Sequence, residues 1–345
     1  MRIAGFDIGG ANTDLAIINF DQNGDMEDIK VDFRYLPMWM KNEELGDYLI
    51  DLIGDEINQI DAVAVSMTAE LVDAYETKKD GVLDIVKRVQ DTFDIPTAYV
   101  GLSGMIDYSQ VCSNPLQVAA ANWIATSQIA SIMSSDCIMV DVGSTTTDII
   151  PIKNGSECAR GRSDLERLGT GELVYSGTLR TNVAALVDKV PYDDGWFRVS
   201  SELFAISADV HHVLDNITSE EYSCDTPDGS GKTKKDSMRR ISRVLCGDLD
   251  ILSSSDIEFI CDYIYNQQAL KISEAIIDVA ERNSLTQVIT TGLGMNIIAS
   301  KAAKIAEMDL IGMDEFLTPE ECVVAPAVGT ALMMGDYLKD IEDKY

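Results

Sequence analysis

One stretch of this chain is written twice. Phe6-Asp7-Ile8-Gly9-Gly10-Ala11-Asn12-Thr13-Asp14-Leu15-Ala16-Ile17 returns as Val140-Asp141-Val142-Gly143-Ser144-Thr145-Thr146-Thr147-Asp148-Ile149-Ile150-Pro151. Asp7 matches Asp141, Gly9 matches Gly143, Thr13 matches Thr147 and Asp14 matches Asp148, all at one offset. Each copy is an apolar strand, a polar turn and a second apolar strand, the pattern of a β-hairpin. Repetition at such long spacing points to two related lobes rather than a solenoid.

The segments between the copies alternate strands with helices. Strands are predicted at 27–34, at 61–66, near Tyr99, from Cys137 to Val140 and from Gln287 to Thr290. Helices are predicted at 41–58, 80–93, 115–134, 199–215, 234–247 and 254–283, with a last one opening at Pro326. That order defines an α/β protein. The first lobe is expected over residues 1–125 plus 326–345. The second is expected over 126–325, with a helical insertion around 190–285. A ligand cleft is expected between the lobes.

Composition limits the partners. With 46% apolar and 25% charged residues the chain is globular. Acids outnumber bases 58 to 27, for a formal charge of −31. Such a field repels nucleic acid and anionic lipid, so neither is an expected partner, and it would suit a salty cytoplasm. No apolar run of about 18 residues is present, and the N-terminus enters a strand directly, so neither a membrane span nor a signal peptide is expected. The seven cysteines form no CxxC pair, which fits a reducing cytoplasm. The two histidines, His211 and His212, are adjacent, exclude a multi-histidine metal site and are expected as surface polar residues on a helix. Met67, Met105, Met133 and Met139 are expected as core filler. A homo-oligomer is left open.

The turns have the chemistry of a phosphate site. Glycine lets the backbone approach a bulky anion, and successive N–H groups can converge on one point. Gly9, Gly10, Asn12 and Thr13 would serve in the first turn, and Gly143, Ser144, Thr145 and Thr146 in the second. Asp7 and Asp141, at the strand ends, can accept from waters on Mg²⁺ or a similar divalent cation, which uses few carboxylates. For either turn alone an ordinary tight hairpin suffices; the duplication argues for phosphate. Gly231-Lys232-Thr233 superficially resembles a P-loop, but the position of that motif's first glycine reads Thr226-Pro227 and no strand precedes it. A flexible loop is expected over 224–236. The run Leu168 to Gly177 is expected to begin a helix whose N-terminus could bind an anion.

Asp-Ile-Gly-Gly-Ala-Asn-Thr-Asp and Asp-Val-Gly-Ser-Thr-Thr-Thr-Asp resemble the two phosphate motifs of the actin, sugar kinase and Hsp70 superfamily. Thr291-Gly292-Leu293-Gly294 resembles its adenosine motif through Gly292 and Gly294. Pro326-Ala327-Val328-Gly329-Thr330-Ala331 resembles its second connecting helix. The resemblance implies a two-lobe actin-like (ribonuclease H-like) fold, each lobe a hairpin-led mixed sheet flanked by helices. Ser66-Met67-Thr68-Ala69-Glu70-Leu71, Thr77-Lys78-Lys79-Asp80-Gly81-Val82, Gly169-Thr170-Gly171-Glu172-Leu173 and Gly177-Thr178-Leu179-Arg180-Thr181 resemble an archaeal branch related to hydantoinase and oxoprolinase A subunits. Glu202-Leu203-Phe204-Ala205 and Asp225-Thr226-Pro227-Asp228-Gly229 fit it too. That branch was first labelled a tetrahydromethanopterin-linked one-carbon pathway protein.

The branch implies a transferase of methanofuran biosynthesis. It would join 5-(aminomethyl)furan-3-ylmethyl diphosphate to γ-glutamyltyramine, forming an aryl ether and releasing diphosphate. Lys78 is then a candidate cation for the leaving group, with a solvated surface lysine as the alternative. Glu70, Asp14 and Asp148 are candidates for the base that takes the phenol proton, and turn stabilisation is the alternative for the aspartates. Arg160, Arg162 and Arg180 are candidates for the substrate carboxylates. Three other readings stay open: an ATP-dependent kinase, a hydantoinase-like subunit using ATP and a partner chain, and a nucleotide-sensing regulator. ATP is possible but not required.

Overall fold

A computed structural model of the chain describes residues 1–342. They form two compact units. The first comprises Met1–Asp136, Ile152–Arg167 and the residues from 313 on; the second comprises Cys137–Pro151 and Leu168–Gly312.

The first unit is built on six strands: β1 (Arg2–Ile8), β2 (Asn12–Phe20), β3 (Met26–Tyr35), β4 (Ala62–Met67), β5 (Thr97–Gly101) and β6 (Gly104–Ile106). Their spatial order is β3-β2-β1-β4-β5-β6. β1, β2 and β3 pair antiparallel, and β4 joins β1 in parallel. Every residue of β4 is buried, as a parallel strand covered on both faces requires. One face packs Phe6, Leu15, Val65 and Met67 against Leu49, Val82, Ile85 and Val86 of two helices, Leu45–Ile53 and Lys78–Thr92. The other face receives the last helix, Ala325–Glu342. Small residues let that helix approach. A Cβ on Gly5 would lie 2.4 Å from the Ala327 carbonyl oxygen, and one on Gly329 would lie 2.1 Å from the Ala125 carbonyl oxygen.

The second unit carries β7 (Cys137–Val142), β8 (Thr147–Lys153), whose end pairs with β9 (Ser156–Glu157), then β10 (Leu173–Val174), β11 (Lys189–Tyr192), β12 (Gly195–Arg198), β13 (Gln287–Thr291) and β14 (Asp309–Gly312). Its main sheet runs β10-β8-β7-β13-β14, and β11 pairs with β12 in a separate hairpin. The helix Ser254–Asn283 starts at a reciprocal Ser253–Asp256 capping box. Its C-terminal half packs Ile272, Ile276 and Val279 on the sheet, and its N-terminal half joins Ile257, Ile260 and Ile264 to a helical core with Val210, Val213, Ile241 and Val244.

Several expected elements are corrected. The 115–134 helix is broken: a 3₁₀ turn (Pro115–Gln117) precedes a helix from Asn122 to Met133, and Ala120 between them has φ +48. The 199–215 helix shrinks to Ser207–Val213, because β12 occupies residues up to Arg198 and an irregular, bent segment follows. The 41–58 helix is α-helical only over Leu45–Ile53. The Leu168–Gly177 run ends a helix, Asp164–Thr170, instead of beginning one, and Gly171 supplies the positive φ of +72 after it. A helix C-terminus presents carbonyls, so no anion site forms there.

No disulfide joins the seven cysteines. Among the described residues no helix is long and apolar enough to cross a membrane. The small-residue packing gives a direct test. Gly329→Ala should destabilise the protein by about 1–3 kcal/mol, read from the urea midpoint. An unchanged midpoint would contradict this packing of the last helix.

Candidate functional site

In the first unit the β1–β2 turn closes on one backbone bond, the Gly9 N–H donating to the Asn12 carbonyl at 2.9 Å. A Cβ on Gly9 would sit 2.8 Å from that same oxygen. Glycine is therefore there for space. The carbonyls of Gly10 and Ala11 accept from Met38 and Leu36, at 2.9 and 2.8 Å, and tie the turn to the chain after β3.

Asp7 closes β1 and is buried. Ser66 on β4, its parallel neighbour, donates to Asp7 Oδ1 at 2.7 Å. Thr330 on the last helix donates in turn to Ser66 Oγ at 3.1 Å. Asn122, at the start of its helix, donates to Asp7 Oδ2 at 3.3 Å. Three elements thus aim one carboxylate. Asp14 stands directly across from Asp7 in the ladder. Thr13 is buried, and its hydroxyl has no hydrogen-bond partner among the described residues.

The same unit gathers Lys78 with two acids. Lys78 Nζ lies 2.9 Å from Asp164 Oδ2 and 3.5 Å from Glu70 Oε1. Lys78 is therefore not the solvated surface lysine of the alternative reading. Glu70 is 1% exposed, and its Oε2 has no partner among the described residues. Burial raises the Glu70 carboxyl above the usual range, against the pull of the Lys78 charge. Burial also works against the Lys78 charge, but the bond and charge of Asp164, with Glu70, outweigh it and raise the ammonium. Asp164 takes a second cation, Arg167, at 3.0 Å. Arg167 and Arg162 both lie over the Trp123 ring, at 4.9 and 5.3 Å. Arg162 bonds Glu157 at 2.7 Å, and Arg160 is exposed.

The second unit repeats the turn. Gly143 N–H donates to the Thr146 carbonyl at 3.0 Å, the counterpart of the Gly9 bond. In both copies the first glycine's N–H closes the turn and is not presented to a ligand. The support differs, however. The Gly143 carbonyl accepts from Thr178, and the Ser144 carbonyl accepts from both Leu179 and Arg180. Gly177 packs so close that a Cβ there would lie 2.5 Å from the Thr145 nitrogen. Thr147, unlike Thr13, has a partner: it donates to the Ser176 carbonyl at 2.7 Å. Asp148 stands opposite Leu173. Arg180 is exposed and belongs to this unit, whereas Arg160 and Arg162 belong to the first.

The Thr291–Gly294 stretch converges on Asp141. Thr291 is its register partner, and a Cβ on Gly292 would lie 2.2 Å from Asp141 Oδ1. Gly294 N–H donates to the Val142 carbonyl at 2.8 Å. Behind Gly177 the histidines correct the surface expectation, because both are buried. Gln268 donates to Ser176 Oγ and to the Gly177 carbonyl, at 3.1 and 2.9 Å, so its Oε1 accepts from His211 Nε2 at 3.0 Å. Asn216 then donates to Nδ1 at 3.3 Å. Burial holds His211 neutral, its pKa lowered to about 4.

The 224–236 segment is a loop up to Thr233, where the helix Lys234–Val244 begins, and it is pinned. Asp228 bonds Arg240 and Arg243 at 3.1 and 2.9 Å, and the Gly231 carbonyl accepts from Arg240 at 3.1 Å. Arg240 is itself fully buried against Asp209, 2.8 Å away. Its glycine and lysines therefore serve structure, as the missing P-loop glycine suggested.

A divalent cation fits these turns in one way. Neither unit gathers three or more histidine, cysteine or carboxylate ligands among the described residues. Each turn offers one strand-end aspartate, Asp7 or Asp141. That set suits Mg²⁺, which keeps its waters and takes remaining ligands from phosphate oxygens.

The fold is actin-, sugar kinase- and Hsp70-like, as the resemblance of its motifs implies. Nucleotide-free acetone carboxylase matches it with a TM-score of 0.62 at 12% identity, over 96% of this chain and 70% of that one. A ROK family glucokinase from Streptomyces griseus, in complex with glucose and AMPPNP, matches at 0.50 and 13%, over 96% and 98%. Within that fold, the chain belongs to the hydantoinase/oxoprolinase family, whose model matches residues 61–337. It is 38% identical, over 97% of its length and 98% of the relative's, to the (4-{4-[2-(gamma-L-glutamylamino)ethyl]phenoxymethyl}furan-2-yl)methanamine synthase of Methanocaldococcus jannaschii. The synthase of the same name from Methanococcus vannielii is 39% identical, over 60% of this chain and 94% of that one.

The buried histidine makes the second unit sensitive to acid. His211 titrates near 6.5 unfolded and near 4 folded, so its contribution is full above 6.5 and is lost as pH falls towards 4. Denaturant midpoints measured across that window should fall more steeply for the native chain than for His211→Gln. Parallel profiles would contradict a neutral, buried His211.

Proposed function

We propose that this chain is a transferase of methanofuran biosynthesis that forms an aryl ether by displacing diphosphate. The name borne by the relatives describes the product: a phenoxymethyl ether on a furan that carries an aminomethyl group, with a γ-glutamylaminoethyl arm. The substrates assigned are 5-(aminomethyl)furan-3-ylmethyl diphosphate and γ-glutamyltyramine. The observation that carries the reading is the match to such a synthase along nearly the whole chain.

The chemistry follows from the turns. The bond between the furanylmethyl carbon and the diphosphate oxygen breaks, and its electron pair leaves with the diphosphate. The phenol oxygen bonds to that carbon and gives up its proton. In the first turn the N–H groups of Gly10, Ala11 and Asn12 hold phosphate oxygens, aided by the Thr13 hydroxyl. In the second turn Ser144, Thr145 and Thr146 do the same. Donors fixed in place before the reaction stabilise the leaving charge without reorganising. Bound Mg²⁺ or a similar cation would add positive charge to the departing diphosphate; Asp7 in the first unit and Asp141 in the second are each candidates to hold it through its waters.

Glu70 is the base we favour among the candidates. Burial raises its carboxyl towards the range useful in proton transfer, and one of its oxygens lacks a partner among the described residues. Lys78, bonded to Asp164 and close to Glu70, keeps its charge and can serve the leaving group. For the glutamyl carboxylates the candidates are Arg160 and Arg162 in the first unit or Arg180 in the second. No phosphoryl group moves, so ATP is not consumed.

Purified protein incubated with both substrates and Mg²⁺ should release diphosphate and the ether, read by mass spectrometry. Tight ATP binding with phosphoryl transfer to a small alcohol, and no ether, would overturn the reading. Asp7→Ala and Asp141→Ala should each lower turnover by about 10²–10³-fold, with circular dichroism unchanged. Near-normal turnover in both would remove the metal and phosphate assignment.

A further inference from the structure

β3 ends its sheet with one side unpaired, and it is long. All of its residues are exposed except the half-buried Ile29 and Val31. Phe33 and Tyr35 are 58% and 50% exposed. The open edge has a defined parity. Phe33 N–H bonds the side chain of its own neighbour Asp32, at 2.8 Å, and not β2. By the alternation of an antiparallel ladder, the N–H and C=O groups of Ile29, Val31 and Phe33 point outward. Such an edge is a template for another strand.

The sequence of β3 is complementary to itself. We propose that β3 pairs antiparallel with β3 of a second copy, about a twofold axis through Val31. In that register Asp28 faces the partner's Arg34 and Lys30 faces the partner's Asp32. Each pairing occurs twice. On the other face Ile29 meets the partner's Phe33, Val31 meets its own equivalent, and Glu27 meets the partner's Tyr35. Opposite charges and apolar pairs directly across a ladder are stabilising, and like charges are destabilising.

The charge order also selects the register. A slip of one pair in one direction sets Lys30 against Lys30 and Asp28 against Asp32. A slip in the other sets Asp32 against Asp32 and Lys30 against Arg34. Charges that merely guard an edge carry no such code. The acidic chain, at −31, repels a second copy at long range. β3 alternates acids with Lys30 and Arg34, so this edge carries cations that offset that repulsion. Lys30 also bonds Glu56 within its own chain, but its side chain stays 55% exposed and within reach of a facing aspartate.

The test is a charge swap followed by sedimentation equilibrium in about 0.15 M salt, where long-range repulsion is screened. The native chain should show a concentration-dependent dimer. Lys30→Asp and Asp32→Lys each create like-charged pairs and should weaken it at least about tenfold. Asp32→Lys keeps the Lys30–Glu56 bond, so its effect is not one of lost folding. Mixing the two variants should restore a dimer, seen as the heterodimer by native mass spectrometry. The Lys30→Asp/Asp32→Lys double variant should restore it alone. A native chain that stays monomeric throughout, or a dimer of equal strength in every variant, would overturn the proposal.

Discussion

Each hairpin turn is closed by a single backbone bond, Gly9 to Asn12 and Gly143 to Thr146. The rest of the candidate site depends on that closure. It bends the chain just after a strand whose next-to-last residue is the aspartate, Asp7 in β1 and Asp141 in β7. It also consumes the first glycine's N–H and leaves the next residues of the turn to meet an anion. The two copies keep this bond while their surroundings differ. At Gly9 no Cβ fits, whereas at Gly143 the nearest backbone oxygen would be 3.7 Å away. The second turn is held from behind instead, by the Gly177–Arg180 segment.

The proposed diphosphate meets a physical conflict in an acidic protein. The total charge of −31 opposes any anion at long range. Screening confines that field to about 8 Å at physiological salt, so local donors decide the outcome. Asp7 is fixed by Ser66, Thr330 and Asn122, and the Lys78 ammonium is kept protonated by two acids. Gly292 leaves space for the Asp141 carboxylate and the Val142 carbonyl, and Gly294 for the Thr178 hydroxyl and the Val142 side chain.

The sequence revealed local features best. The repeated hairpin, β4 and the helix Ser254–Asn283 follow from short-range patterns: period-two alternation, a glycine turn, a capping box. The helix end at Gly171 runs against the expected helix start there, although a glycine in the left-handed region commonly closes a helix. What escaped was non-local. His211 sits on a short helix whose sequence does not reveal burial; its partner Gln268 lies far along the chain. Asp164, which bonds Lys78, is similarly distant, and Ser66 and Thr330 meet only because β4 and the last helix pack together. The break before Asn122 occurs at Ala120, a residue that favours helix, so nothing local announces it.

The proposed function requires that the backbone turns meet phosphate oxygens. The most direct test is an NMR titration of the native chain with inorganic diphosphate and Mg²⁺, following backbone amides. The amides of Gly10 to Asn12, and those of Ser144 to Thr146, should shift. Shifts confined to other residues, or to neither turn, would contradict it.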